Sequence, residues 1–548
     1  MNPDTIKRYI RKEFSGWWMI SMIGAAVVLL PVLFIFFSIF TEPNENWYQI
    51  QQYLLRNYIT NSVILVGLTS LLTAFIGVTL AWLIAAYDFP LKKYFRWGLI
   101  LPIAIPPYIG AYTYRTMLSY TGVVQSTLRN EFHYQVDPDF LAVSSLRGAV
   151  FIFTIFLFPY VYMITRPFLE NQSTAYFENA RLLGRKPLAI FLKVILPLSR
   201  PAIVGGALLT VYEVLSDYGV TSYFGIHTIA TAIFQTWFGM YDVDSALKLA
   251  SWLMVAVIGV FLFERLLRKG RHYHLSTKSR PLTPMKLTGI KAGIATLYCS
   301  IIFLLGFLIP VVQLISWSIL TFESIWNDSF FTLMTQTLYV ATLSTIIILV
   351  IVVVVANVCR SQSAFSYTLS KIITSGYSIP GAIIAIGVLA LFITLDNWLA
   401  PVYSSMGLGK APLILSMSIA MLIFGNVIRF MATGYNAVEV GYEKMGLKFT
   451  EASRTLGLGK TRTFFKVDLP LIKGALFSGF VLTFVEICKE LPLALLLRPF
   501  NFETLATKTF QYAKDERIHE ASISSLLIIA ISILSVIVFQ MIERREKQ

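Results

Sequence analysis

Glu213 and Asp217 stand four residues apart at the end of one apolar stretch, and Glu486 and Glu490 repeat the spacing 273 positions later. On a helix, residues i and i+4 share a face. Each stretch therefore offers two carboxylates side by side, with Tyr218 next to the first pair. Ionisable side chains at membrane depth are expensive and by default mark a pathway or a partner. Carboxylate and phenol oxygens suit a hard cation, so these five residues are candidates for a low-affinity path. A plainer reading stands beside it: the groups sit at the outer membrane edge, paired or solvated, with Lys489 neutralising Glu486 or Glu490. No metal-ligand set is assigned.

The elements that hold such residues must be membrane helices. Of 548 residues, 56% are hydrophobic and 14% charged, and the mean hydropathy is +0.68. Soluble chains carry about 25% charged residues. Disorder is excluded, and a soluble enzyme of several domains does not fit. The three cysteines, Cys299, Cys359 and Cys488, lie far apart in or beside apolar segments and read as small buried hydrophobes.

A membrane helix needs about 20 apolar residues. Twelve segments qualify. The first six are Trp17–Phe40, Ile59–Tyr87, Trp97–Met117, Leu146–Leu169, Leu198–Ser216 and Ala246–Leu267; the next six are Ile290–Leu320, Thr335–Val358, Ile372–Thr394, Pro412–Gly434, Leu471–Ile487 and Ser522–Ile542. Pro106, Pro107 and Pro380 interrupt two of them at matching places, as pore lining or as simple kinks. With the N-terminus inside, most of the 45 Lys and Arg residues fall on the inner side and the outer loops are net acidic. Both termini are then cytoplasmic. The net charge of +15 reads as topology rather than as a nucleic-acid footprint.

The chain repeats itself. Glu178-Asn-Ala-Arg-Leu-Leu-Gly184 matches Glu451-Ala-Ser-Arg-Thr-Leu-Gly457, and Phe191, Lys193, Val194, Leu196 and Pro197 match Phe464, Lys466, Val467, Leu469 and Pro470 at the same offset. Thr228, Ala230, Thr231, Phe234 and Gln235 match Thr504, Ala506, Thr507, Phe510 and Gln511. Six spans per half keep both halves in the same orientation, so the repeats are parallel. The expected organisation is a first half at 1–267, a polar linker at 268–289 containing His272 and His274, and a second half at 290–548.

The best-matched segment is a loop, at about 170–200 and again at 443–473. It reads as helix, turn, helix: Gly184 and Gly457 allow a left-handed turn, and Pro197 and Pro470 stop the loop before the next span. A short helix with one apolar face can dock in a groove on a partner; the other reading is an interfacial helix lying on lipid headgroups.

This Glu-x-Ala/Ser-x-x-x-Gly pattern with its downstream Leu-Pro resembles the EAA loop of importer-type ABC transporter permeases. The first copy has Glu-Asn-Ala and the second Glu-Ala-Ser where that family usually shows Glu-Ala-Ala. The resemblance implies an all-α membrane fold, the type I ABC importer permease, with about twelve helices in two parallel six-helix repeats. It implies that Glu178, Ala180, Gly184 and Pro197, with Glu451, Gly457 and Pro470, form coupling elements seated on ATP-hydrolysing subunits. Ser216-Asp-Tyr-Gly-Val220, Thr236-Trp-Phe-Gly239, Lys489-Glu-Leu-Pro492, Leu495-Leu-Leu-Arg-Pro-Phe500 and Thr504-Leu-Ala-Thr507 resemble the fused ferric-iron permeases of that superfamily. The breaks Ile103-Ala-Ile-Pro-Pro107 and Ser378-Ile-Pro-Gly381 do so too. Thiamine and phosphonate permeases share the general layout.

The expectation is therefore a non-catalytic inner-membrane subunit passing Fe3+, with no tightly bound cofactor. Its expected partners are two cytoplasmic ATP-binding subunits, the lipid bilayer and a soluble binding protein meeting loops around Thr41–Asn57, Thr221–Ser245 and Arg498–Glu520; nucleic acid is not among them. No GxxxxGK[ST] segment is present, and Gly457-Leu-Gly-Lys-Thr461 lacks its spacing. A secondary ion-coupled transporter is the rival reading, but it does not require a repeated docking loop. A membrane-bound enzyme or assembly factor is a further rival, and it lacks a catalytic constellation.

Overall fold

The computed structural model describes residues 16–137, 141–170, 182–184, 187–268, 284–360, 364–376, 379–407, 413–416 and 418–547. A chain this apolar must satisfy its backbone polar groups internally, and helices do so within one segment. Nearly every described element is a helix. The first half contains α1 (Gly16–Phe37), α2 (Leu55–Ala86), α3 (Pro107–Leu118), α4 (Leu146–Glu170), α5 (Arg200–Ser216) and α6 (Val243–Arg268). In the second half Ile290–Phe303 leads into α7 (Ile309–Ile325). There follow α8 (Asp328–Cys359), α9 (Gly381–Ser405), α10 (Ile419–Met445), the short α11 (Lys448–Thr455) and α12 (Lys473–Lys489). The last two are α13 (Leu505–Lys514) and α14 (Ile518–Lys547).

Among the described residues eight helices are long and apolar enough to cross a membrane, or ten if each of two bent helix pairs is one span. These correspond to ten of the twelve expected segments. The other two differ for identifiable reasons. Trp97–Met117 is split into Lys92–Gly98, Leu101–Ala104 and α3, because Pro102, Pro106 and Pro107 interrupt its hydrogen-bond ladder. The Pro412–Gly434 segment becomes α10, which is long enough, but Asn426, Arg429 and Asn436 dilute its apolar content.

The first helix of the chain packs mainly on the other half. α1 packs on α8 and α9 of the second half, whereas α7 packs on α14 and touches α3 of the first. Ser21, Gly24, Ala25, Val28, Pro31 and Ile35 form the buried stripe of α1 at three- and four-residue spacing. Small residues let its backbone approach: a Cβ at Gly24 would lie 3.0 Å from Ile351. Both buried apolar cores consequently draw residues from both halves. A two-residue parallel pairing, β1 (Tyr87–Asp88) with β2 (Met285–Lys286), joins the end of α2 to the approach to Ile290–Phe303.

The second repeated block has a local explanation. Thr228 and Thr504 each start a helix, Ile229–Phe234 and α13, through a reciprocal capping box with Thr231 and Thr507. The first helical N–H is satisfied from another helix in both copies: Ile229 donates to Ser62 and Leu505 donates to Thr337. Threonine at these four positions is thus a capping requirement. Thr504→Ala should lower stability by about 1 kcal/mol, measured by unfolding of the purified protein, with transport otherwise retained.

Candidate functional site

α5 and α12 carry Glu213 and Glu486 in their last turns and end just before the second carboxylate of each pair. Asp217 and Glu490 are not on the helices: each follows the last helical residue with extended backbone. Asp217 Oδ1 accepts from the Val220 and Thr221 N–H groups at 2.9 and 3.2 Å, which starts the helix Gly219–Tyr223. Glu490 Oε1 accepts from the Leu493 N–H at 3.3 Å at the start of Pro492–Leu497. The i, i+4 spacing therefore joins a helical carboxylate to one that begins the next helix.

The two pairs nevertheless meet. Glu213, Asp217, Glu486 and Glu490 line one cavity of about 90 Å³ between the halves, together with Tyr108, Tyr160, Arg429 and Lys489. Lys489 Nζ lies 2.7 Å from Glu486 Oε1, the pairing anticipated as the plainer reading. Tyr160 donates to Glu213 at 3.5 Å. Arg429, from α10, places Nε 3.7 Å from Glu490 Oε2 and donates through Nη1 to the Ile379 carbonyl at 2.6 Å. Among the described residues no three His, Cys, Asp or Glu side chains come close enough to hold a metal ion. The arrangement gathers oxygen donors around a space without converging them into a chelate.

The proline breaks belong to this cavity. Pro106 and Pro107 line it. Pro106 caps α3 and Pro380 caps α9 with nearly the same backbone angles. Just after Pro380, a Cβ at Gly381 would lie 2.7 Å from Glu490 Oε1 and 3.4 Å from Arg429 Nε. The charged pair thus lies directly against the α9 backbone at Gly381, and a larger residue there would have to displace it.

Tyr218 is placed elsewhere. It lines a larger, open cavity of about 1270 Å³ with Phe234, Phe510, Arg498, Glu503 and Lys514. Its ring stacks on Phe234 at 3.7 Å and lies 5.8 Å from Phe510, which in turn is 6.3 Å from Tyr108. This aromatic group stands between the larger cavity and the carboxylates. Residues of the expected outer loops Thr221–Ser245 and Arg498–Glu520 wall the larger cavity. Those of Thr41–Asn57 join them indirectly, as Asn44 and Asn46 both donate to Asp242.

The repeated loops lie at the other end of α5 and α12, about 25 Å away along a 17-residue helix. Glu178 and Ala180 are outside the described residues. Gly184 and Gly457 have φ of 71° and 87°, the left-handed turn that favours glycine. Glu451 is exposed in the first turn of α11. Leu182, Leu183, Phe449 and Leu456 are exposed around it or its counterpart. Pro197 and Pro470 precede bends of 66° and 69° into α5 and α12. A π-helical turn, Phe191–Ile195 or Phe464–Asp468, precedes each of these prolines.

Sequence reasoning left Arg429 without a role and did not single out Tyr160 or Gly381. Arg429 carried a usable signal, a cation inside an apolar segment. Tyr160 and Gly381 carried none, since their meaning lies in a neighbour distant in sequence.

Comparison with known proteins agrees with this architecture. The family described as binding-protein-dependent transport system inner membrane component matches residues 75–267 and again 356–548. The chain is similar to the Fe(3+)-transport system permease protein FbpB 2 of Haemophilus influenzae, 22% identical over 86% of this chain and 87% of that protein. It is also similar to the sulfate transport system permease protein CysT of Salmonella typhimurium, 28% identical over 27% of this chain and 52% of that one. The molybdenum transport system permease protein ModB of Escherichia coli is 28% identical over 26% of this chain and 61% of its own length. With two matched repeats, an almost wholly helical fold and a site shared between the halves, this chain belongs to the family of binding-protein-dependent transport system inner membrane components, as a fused permease of the type I ABC importer fold.

Proposed function

We propose that this permease passes ferric iron from an external binding protein to the cytoplasm, driven by two ATP-binding subunits docked on its repeated loops. The observation that carries the cargo assignment is the cavity between the halves: four carboxylates against two cations, Arg429 and Lys489. A net negative lining favours a hard cation and repels sulfate or molybdate. The similarity to a ferric permease over most of both chains supports the same reading.

In this mechanism both termini and both loops face the cytoplasm. The exposed Leu182, Leu183, Phe449 and Leu456 enter grooves on the ATPases, and Glu178 and Glu451 meet basic groups there. ATP binds the closed ATPase pair more tightly than the open one, and only that difference can drive the transporter between states. Closure pulls on the segments before Pro197 and Pro470. The bends carry the pull into α5 and α12, whose far ends hold Glu213 and Glu486. Rigid-body gating then exposes the carboxylate cavity to one side and afterwards to the other.

The test reconstitutes the permease with its ATPase subunits in vesicles and adds binding proteins loaded with ferric iron, sulfate or molybdate. Ferric-loaded protein should stimulate ATP hydrolysis; stimulation by an oxyanion-loaded protein alone overturns the cargo assignment. In the same vesicles, Glu213→Gln with Glu486→Gln should reduce iron uptake roughly tenfold, about 1.4 kcal/mol in barrier, while the ATPase subunits still co-purify. Unchanged uptake would remove the carboxylates from the path.

A further inference from the structure

The helix α3 carries three tyrosines, Tyr108, Tyr112 and Tyr114, all of them buried. Two have fixed partners. Tyr112 shares a hydrogen bond with Ser525 of α14, and Tyr114 donates to the Leu305 carbonyl. Neither lines the carboxylate cavity. Tyr108 does line it, and its hydroxyl has no hydrogen-bond partner among the described residues. The residue is only 5% exposed. The other tyrosine of the cavity, Tyr160, donates to Glu213.

A buried polar atom without a partner is costly, and native structures keep few of them. The Tyr108 ring is not free to turn toward one. Gly219 stands against it, since a Cβ there would lie 2.7 Å from Tyr108 Cβ. Phe510 meets the ring edge-on at 6.3 Å. Pro106 and Pro107 fix the backbone just before it, at the start of α3. Three contacts thus hold the ring while no described side chain bonds its oxygen.

The neighbours define what that oxygen can bind. The cavity gathers Glu213, Asp217, Glu486 and Glu490, and Glu490 is within electrostatic range of the Tyr108 hydroxyl. A phenol can accept or donate, so the hydroxyl alone would suit a cation or an oxyanion. Four carboxylates against Arg429 and Lys489 leave the lining net negative, which favours the hard cation. Glu486 is tied to Lys489 at 2.7 Å and must loosen that contact to bind an ion. The Tyr108 oxygen has no such contact to break. Phe510 lines the larger outer cavity and Tyr108 the smaller one. Tyr108 therefore stands where the aromatic group gives way to the oxygen donors.

We propose that Tyr108 is a cargo-contacting residue, whose phenol oxygen is a ligand that the ferric ion meets on passing the aromatic group into the carboxylate cavity. The oxygen binds through a lone pair as a neutral donor, and no proton moves with the step. The carboxylates supply charge, and Tyr108 supplies a rigidly held oxygen. This rests on the reading of the cavity as a path for ferric iron.

Tyr108→Phe removes the oxygen alone and keeps the ring against Phe510. The test uses the complete transporter in vesicles, supplied with ferric-loaded binding protein and ATP. Iron uptake should fall roughly tenfold. The unfolding temperature of the purified variant should equal or exceed that of the wild type, because only an unbonded buried hydroxyl is lost. Tyr112→Phe should do the reverse: it loses the bond to Ser525 and does not line the cavity, so its unfolding temperature should drop while uptake per folded transporter stays at the wild-type level. Wild-type uptake by Tyr108→Phe overturns the proposal. So does a drop in its unfolding temperature as large as that of Tyr112→Phe, which would make the hydroxyl a structural group. Glu213→Gln with Glu486→Gln, measured in parallel, separates this proposal from the reading beneath it. Lowered uptake there beside wild-type uptake in Tyr108→Phe leaves the carboxylate path standing and removes Tyr108 alone. Wild-type uptake in both removes the path itself.

Discussion

Arg429→Leu should abolish transport and cost about 3–5 kcal/mol of stability, the usual penalty for leaving one member of a buried ion pair behind. Arg429 is nearly inaccessible, faces Glu490 at 3.7 Å and supplies a donor to the Ile379 carbonyl at the α9 break. Its loss leaves the Glu490 carboxylate without this cation and the backbone break without its hydrogen bond. The double variant Arg429→Leu, Glu490→Leu separates the two effects. Most of the stability should return, because an apolar pair of similar volume is tolerated where half an ion pair is not. Transport should not return, because the cavity has lost both a cation and a carboxylate. Unfolding of the purified protein and uptake into vesicles read the two quantities independently. A double variant as unstable as the single one would show that Glu490 is not what Arg429 compensates.

Two repeat-equivalent glycines should respond unequally to the same change. Gly206 in α5 and Gly479 in α12 are 273 positions apart. A Cβ at Gly206 would lie 2.5 Å from the Val161 Cα, which is backbone of α4 and cannot rotate away. Gly77 of α2 approaches the same residue, with its Cβ position 2.7 Å from Val161 Cβ. Three helices thus meet at Val161, and Gly206→Ala must force α4 and α5 apart. The expected cost is about 1–3 kcal/mol, enough to reduce membrane accumulation several-fold. At Gly479 the nearest atoms are Ala437 Cβ and Leu349 Cδ2 at 3.3 Å, where the leucine can rotate and a shift of a few tenths of an ångström suffices for the alanine. Gly479→Ala should be close to neutral. Equal accumulation of the two variants, measured by membrane immunoblot, would contradict the packing described for Val161.

These cases show what was legible in the residues and what was not. The two halves, the paired carboxylates and the proline breaks were all readable, because each is written twice at a constant offset. The meeting of the carboxylates followed from pseudo-symmetry rather than from helical spacing: Asp217 and Glu490 share the cavity although neither is on its helix. Tyr218 lines the adjacent cavity because adjacency in sequence does not survive the helix end; the chain turns at Asp217 and the ring stacks on Phe234. The block Thr228 to Gln235 suggested kinship, yet its threonines are explained by capping. α10 failed the simple apolar criterion for the same reason that it matters, since Asn426 and Arg429 lower its hydropathy. The crossing of α1 to the second half left no mark in the pattern, because periodicity reports which face of α1 is buried and not what covers it.

The crossing of α1 to the second half has a consequence for biogenesis. Gly16–Phe37 leaves the ribosome well before the helices that cover its small-residue face, Asp328–Cys359 and Gly381–Ser405. About 300 residues separate them, and at 5–20 residues per second that is roughly 15–60 s of synthesis. During that interval the Gly24 face lacks the α8 side chains that cover it in the finished fold. A nascent chain halted before Asp328 would therefore contain the whole first half and still lack the main surface that holds its own first helix. Quality control in the membrane would meet that uncovered face as the mark of an unfinished transporter.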